Sequence, residues 1–336
     1  MYFKPLILAG ALALATTAEA RDVTDMLGRT VTVPDEIESN VTIGAVPVLN
    51  TYVFAAGQGP KLGMALPANW DHVLGRYQFV FAPQLTEMPL LQDANYAPDL
   101  EKVLAAAPDV ALSFDAAAGD LLEANGIPTV MMRVSTPDEI KAGVGLVGEV
   151  FGDSELGERY SAYFDANVAR VAERLADIPQ EERPSILYLN PKIMTQPHLI
   201  AEWWIPAGGG VSVTAGERSG NALPLTVEAV IAANPDYIFV QDLTQLPVLQ
   251  EHPALSDLDA VRNGRAFASP RGAHVWGNRA VELALTPLWL AGVLYPERFP
   301  RDELIAQTQG FYADFFKTEA SAEQVENILA GSPGDK

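Results

Sequence analysis

The sequence predicts an α/β protein of two similar lobes joined by one long helix, with a ligand cleft between the lobes. Three observations predict it. One segment occurs twice, 127 positions apart: Leu100, Glu101, Val103, Leu104, Ala105, Ala106, Pro108 and Asp109 reappear as Val227, Glu228, Val230, Ile231, Ala232, Ala233, Pro235 and Asp236. In each copy apolar residues fall at helical spacing, Pro-Asp stops the helix because the residue before proline disfavours the α region, and an apolar strand follows. Between the copies, Leu156, Tyr160, Tyr163, Val168, Val171 and Leu175 recur at helical spacing, a pattern longer than an average globular helix. On both sides of it, strand-like and helix-like segments alternate. A long helix between two related lobes acts as a stiff strut.

The elements follow in order. Lys4 precedes an apolar run from Leu6 to Ala15, and Ala18-Glu19-Ala20 places small residues where a signal peptidase reads. Residues 1–20 are therefore expected to be a cleaved signal peptide, with Arg21 the first mature residue. The N-terminal lobe is assigned to 21–153. It opens with a hairpin over 22–34, turning at Gly28-Arg29 and stopping at Pro34. A strand at Val41–Val46, a helix at Asn50–Ala56 and a strand at Lys61–Ala65 are expected next. The stretch from Pro67 to Pro98 is rich in Pro, Asn, Gln and aromatics, lacks a sustained period and exceeds an ordinary connection, which marks a functional loop region. The first repeat copy, a helix at Asp120–Asn125 and a strand at Thr129–Val134 complete the lobe. A helical pattern from Pro137 precedes Gly152-Asp153, and the connecting helix occupies 154–178.

The C-terminal lobe is assigned to 179–331. It is expected to run from a strand at Ser185–Leu189 through a helix at Leu199–Ile205 to the glycine run Gly208–Gly210. The second repeat copy and a strand at Arg265–Ala268 follow. Another irregular aromatic stretch, Ser269–Asn278, precedes a helix at Arg279–Leu294. Two helices, Asp302–Phe316 and Ser321–Leu329, close the chain, the second with Ser321 and Gln324 spaced as a capping box. Residues 332–336 are expected to be a disordered tail.

Composition narrows the function. The chain has no cysteine, hence no disulfide, thiolate metal site, cysteine nucleophile or lipid-anchored cysteine behind the signal. The net charge of −21 survives cleavage, since Lys4 and Glu19 leave together, and an acidic surface disfavours nucleic acid as a partner. No later apolar run reaches the about 18 residues of a membrane span. A soluble, exported protein is expected, monomeric and periplasmic.

At this point the residues resemble a known family, the periplasmic solute-binding proteins of ABC importers for ferric siderophores, haem and cobalamin. The hairpin Asp25, Gly28, Arg29, Val31, Val33, Pro34 is similar to the family's opening, and both Glu-x-Val helices ending in Pro-Asp are similar to its lobe motifs. Asp259-Ala260-Val261, Asn263-Gly264-Arg265, Pro270, Trp276 and Leu294-Tyr295-Pro296-Glu297 resemble its C-terminal half. The resemblance implies two α/β lobes bridged by one helix, modest lobe movement, and a glutamate on each lobe that docks on arginines of a membrane permease. Glu101 and Glu228 occupy those two positions. The bland alternative is that each glutamate only favours its own helix N-terminus.

Ligand contacts are expected from loops at strand ends facing the cleft. The candidates are Trp70, His72, Arg76, Tyr77 and Phe79 in the first lobe, and Trp203, Trp204, Arg271, His274 and Trp276 in the second. Four of the five tryptophans fall in these stretches, offering rigid apolar walls, while arginines neutralise anionic groups bidentately. The four histidines are widely separated and show no metal-ligand spacing, so no directly bound metal and no resident cofactor is expected. The reading is a carrier that binds an anionic metal chelate such as an iron siderophore, without turnover, and delivers it to an ABC importer permease. Haem, or an oxyanion such as molybdate or tungstate, is the alternative ligand. A two-lobed chelatase-like enzyme is the rival class, disfavoured by the export signal. No Gly-x-Gly-x-x-Gly directly follows a strand, and no phosphate loop or Gly-x-Ser-x-Gly elbow occurs. An exported signalling adaptor shares every feature except the importer.

Overall fold

A computed structural model describes residues 20–68, 70, 74–216 and 220–333. The expected signal peptide, apart from Ala20, lies outside the described residues, as do residues 334–336 of the expected tail. The chain opens with an antiparallel hairpin of β1 (Ala20–Thr24) and β2 (Thr30–Pro34). There follow β3 (Asn40–Ile43), α1 (Val46–Ala55), α2 (Arg76–Phe81), α3 (Leu100–Ala106), β4 (Val110–Ser113), α4 (Ala116–Ala124), β5 (Thr129–Met131) and α5 (Pro137–Val150). Strands β3, β4 and β5 form a parallel sheet in that order, and every residue of all three is buried, as expected of parallel strands covered on both faces.

Helix α6 (Leu156–Arg174) leads to β6 (Ser185–Tyr188), β7 (Thr195–Gln196), α7 (Ala201–Ala207), β8 (Val211–Ser212) and β9 (Leu223–Pro224). Next come α8 (Val227–Ala233), β10 (Tyr237–Val240), α9 (Gln245–Gln250), α10 (Asp259–Arg262) and β11 (Ala266–Ala268). Helices α11 (Thr286–Leu294), α12 (Arg301–Asp314) and α13 (Ala322–Leu329) end the chain, and the capping box of Ser321 and Gln324 is formed. The second sheet is parallel, in the order β11-β10-β6-β8.

The repeated segment folds the same way twice. Helices α3 and α8 each span seven residues and are capped by the side chain just before them, Asp99 accepting from Lys102 N (3.3 Å) and Thr226 from Ala229 N (3.1 Å). Each ends on a left-handed residue, Ala107 (φ 45°) or Asn234 (φ 34°). The aspartate of each Pro-Asp then anchors the first strand of its own sheet. Asp109 accepts from the amides of Glu38 and Ser39 (2.8 and 2.9 Å), and Asp236 from the amide and hydroxyl of Ser185 (2.9 and 2.7 Å).

Several boundaries differ from the expected ones. The strand expected at Val41–Val46 stops at Ile43 and Val46 opens α1, with Pro47 in the first turn, where its missing N–H costs nothing. The strand expected at Lys61–Ala65 reduces to a single bridge between Leu62 and Asn40. The irregular first-lobe stretch contains α2, and the helix expected from Arg279 begins as a 3-10 turn over Val281–Leu285.

The connecting helix is more than a bare strut. Tyr160 donates to the Val281 carbonyl (2.5 Å) and Asn167 to that of Ala284 (3.0 Å), so α6 is bonded along the 281–285 turn. One apolar core runs through both lobes, and a smaller one lies behind the second sheet around Leu187, Ile238 and Val240. Tyr312 and Phe316, the latter packed on Phe311, make ring contacts with Phe54 and Phe81 of the first lobe. This shared core restrains lobe movement further, because parting the lobes exposes it to water. Gly143, Gly145 and Gly148, which match Gly-x-Gly-x-x-Gly, sit inside α5 and serve close packing: a Cβ on Gly157 of α6 would lie 2.8 Å from Gly145 Cα. Gly157→Ala is therefore expected to cost about 1–3 kcal/mol of stability in urea denaturation, and an unchanged midpoint would show that the crossing can relax.

Candidate functional site

Strands β6, β10 and β11 are parallel neighbours, and at and just past their C-terminal ends the chain places Tyr188, Gln241 and the Ser269–Asn278 loop. This is the edge where parallel sheets collect ligands. The loop is held from several sides. Arg271 N donates to the Ile328 carbonyl (2.9 Å) and Trp276 N to that of Pro270 (3.0 Å). The Glu282 carboxylate accepts the amides of Ala273 (2.8 Å) and His274 (2.9 Å). From the first lobe, the fully buried Gln78 donates to the carbonyls of both Ala273 and Pro47 (2.8 Å each), and Asn50 donates to the Gln78 carbonyl (2.9 Å).

Above this frame the two lobes meet. The Trp70 indole stacks on His274 with ring centres 5.1 Å apart, and the Arg271 guanidinium lies 5.7 Å from the same indole. Arg271 reaches the Gln241 carbonyl (3.4 Å), and the Gln241 amide nitrogen is 3.0 Å from His198 Nε2. Arg271 is only 9 % exposed, yet among the described residues neither it nor Arg279 pairs with a carboxylate, and the Nε of each is buried without a partner. The hydroxyls of Tyr188 and Ser269 are also buried, and the Tyr188 hydroxyl lies close to Ser269 and Gln241. They flank one point of the loop, since a Cβ on Gly277 would lie 2.9 Å from the first and 3.5 Å from the second. A buried unpaired donor costs about 1–3 kcal/mol, and a buried unpaired charge more. A ligand offering acceptor oxygens and negative charge is the kind of partner such donors call for.

Burial, with Arg271 adding to it, pushes His274 down to about 3. Burial and Arg279 push His198 down to about 4, so both imidazoles are neutral at pH 7. Glu282 is pushed up to about 7 by burial, against the pull of its bonds from Tyr312, His274 and Ala273. The signs oppose each other. An unfolded histidine titrates near 6.5, so the stability tied to neutral His274 and His198 is lost as pH falls, by about 2 kcal/mol each at pH 5. Glu282 takes up its proton in the folded protein first, which stabilises by a similar amount over the same interval. The wild-type protein is expected to lose about 2 kcal/mol of stability between pH 7 and 5, whereas Glu282→Gln loses about 4 kcal/mol there. Urea midpoints at three pH values measure this, and parallel slopes for the two proteins would refute it.

Of the residues picked from sequence, Trp70, Arg271 and His274 are brought together, and His72 lies outside the described residues. Arg76 begins α2 next to Tyr77 and is half-buried, as is Phe79, which packs against the core. Three others, Tyr77, Trp204 and Trp276, are core residues, a correction to their reading as cleft walls, whereas Trp203 is only half-buried. Tyr77 is buried against Phe81 and donates to the Gln324 carbonyl (3.0 Å). Trp203 packs on Phe164 of α6. Trp204 is fully buried edge-on to Tyr188 and donates to the Gly277 carbonyl (3.3 Å). Trp276 is fully buried beside Glu282 and Tyr312. Tyr188, His198, Gln241, Ser269, Arg279 and Glu282 belong to the site's surroundings and were missed.

Glu101 and Glu228 are exposed at the second position of α3 and α8, and neither caps its helix, since Asp99 and Thr226 do. Beside them Leu104 and Ile231 are exposed to nearly the same degree, 44 % and 45 %. Among the described residues no three His, Asp or Glu side chains converge to hold a metal ion.

Two α/β lobes with parallel sheets, packed along one long helix and meeting at a buried arginine that has no carboxylate partner among the described residues, define a two-lobed binding protein. The chain belongs to the periplasmic binding protein family, whose model matches residues 83–271. It is 27 % identical to the molybdate-binding protein MolA of Haemophilus influenzae, over 95 % of this chain and 97 % of that protein. The solved structure of H. influenzae MolA bound to molybdate superimposes with a TM-score of 0.77 at 25 % identity, covering 90 % of this chain and 99 % of that one. A periplasmic solute-binding protein from Veillonella parvula superimposes at 0.78 with 21 % identity, over 93 % and 97 %. The resemblance read from the sequence motifs thus holds at the level of the family and the two-lobed fold.

Proposed function

We propose that the protein is the substrate-binding component of an ABC importer and that its cleft takes a small oxyanion of the molybdate type. The observation that carries this is Arg271, buried past the ends of β10 and β11 with no carboxylate partner among the described residues, near the buried hydroxyls of Tyr188 and Ser269. A compact dianion with four acceptor oxygens matches such donors. The similarity to a molybdate-binding protein along nearly the whole chain supports the same ligand class. The stacked contact of Trp70 with His274 closes the cleft at this point, so a porphyrin requires the two rings to part. An anionic metal chelate is the second reading, favoured by the Trp70 indole as an apolar wall. Docking through Glu101 and Glu228 completes the proposed cycle.

Tryptophan fluorescence titration with molybdate, tungstate, sulfate, haem and a panel of ferric siderophores tests it. Saturable binding of molybdate and tungstate is expected, with much weaker response to the rest. Preferential binding of a ferric siderophore would move the ligand to the second reading, and no response to any would overturn both.

A further inference from the structure

We propose that Glu282 is a positioning residue of the anion site and the group that takes up a proton when an anion settles against Arg271, an inference that rests on the reading of the cleft given above. Glu282 is fully buried. Its Oε1 accepts from the Ala273 amide (2.8 Å) and the Tyr312 hydroxyl (2.7 Å), and its Oε2 from the His274 amide (2.9 Å). Both amides belong to the loop that bears Arg271 and His274, so the carboxylate fixes the backbone beneath the two side chains that Trp70 covers. The loop leaves room for nothing else there, because a Cβ on Gly272 would overlap Oε1 and the Tyr312 hydroxyl.

The titratable and charged groups that act on this carboxylate, or feel it, are Arg271 and His274 from the loop, Tyr312 from α12 and Tyr160 from α6. Among the described residues no lysine or arginine makes a direct ion pair with it. In the empty site Glu282, with Asp242, balances the charge of Arg271 through space. An anion at Arg271 brings negative charge next to a carboxylate that water does not screen. The carboxylate is the group that yields, since burial already favours its neutral form. The proton has a place to go: the Tyr312 hydroxyl, now a donor, rotates to accept it, and both loop amides keep their carboxyl oxygens. The loop is held in both states and only the charge changes. By linkage, anion affinity rises as pH falls through the titration of Glu282, and binding draws a proton from solution.

Calorimetric titration of the purified protein with sodium molybdate at pH 7, in Pipes and in Tris, reads that proton from the difference in buffer ionisation heat. The wild-type protein is expected to take up roughly half a proton per anion, because a group titrating near this pH is half protonated beforehand. Glu282→Gln is expected to bind with the uptake abolished. Where that variant does not fold, His198→Asn and His274→Asn carry the test, and the uptake survives in both. Binding without proton exchange overturns the inference and leaves the anion reading standing. So does uptake that persists in folded Glu282→Gln or disappears with either histidine. No heat of binding and no fluorescence response overturns the anion reading, and this inference with it.

Discussion

Replacing Arg271 with alanine lowers molybdate affinity by about 1.5–3 kcal/mol, roughly ten- to a hundred-and-fifty-fold, while leaving thermal stability unchanged or raised. The two halves of this expectation have one cause. In the empty protein the guanidinium is buried, touches Gln241 only at 3.4 Å and has no carboxylate beside it among the described residues. Its desolvation is offset only in part, through space by Asp242 and Glu282 and by the contact with the Trp70 face, worth about 0.5–2 kcal/mol. When an anion arrives, that desolvation is already in place and each charge-assisted bond acts at full strength. Arg271→Lys keeps the charge but loses the planar fork, so its affinity falls between wild type and alanine. Fluorescence titration reports binding through Trp70, and a thermal melt of the same samples reports stability. Unchanged affinity in Arg271→Ala removes the arginine from the site, and a large stability loss makes it a structural residue.

The fold was legible because its signals are local. Pro108-Asp109 and Pro235-Asp236 each end a helix by a steric rule and anchor a strand by hydrogen bonds, so the duplication survives in sequence as in structure. The long helix announced itself through its period. Strand ends were less legible: Ile43 and Val46 look alike in a list of apolar residues, and the chain turns between them.

The site was legible only in part, because composition marks a loop but packing decides which side chains face the cleft. Trp203 and Trp204 are adjacent on α7, and one meets α6 while the other meets Tyr188. Tyr188 closes an apolar strand and carries no polar neighbours in sequence to set it apart. Glu282 did have a signal, a single charge inside the apolar run Val281–Leu285, a pattern that calls for a buried partner.

Replacing both Glu101 and Glu228 with alanine abolishes most uptake in cells while leaving ligand affinity and melting temperature where they were. Both carboxylates are exposed, stand on equivalent helices and have no hydrogen bond or ion pair among the described residues. The alternative, that they serve only their helices, is weakened by the caps: Asp99 and Thr226 already satisfy the first turns. Removing a partner for a permease arginine at each lobe costs on the order of 1–3 kcal/mol of docking energy per contact, and the two losses act on one complex. The cap residues supply the contrasting variant. Asp99→Ala with Thr226→Ala is expected to lose about 1 kcal/mol of stability per helix and to retain uptake once protein levels are matched. Uptake, affinity and melting temperature measured on both double variants separate the roles, and normal uptake in the glutamate variant would rule docking through these residues out.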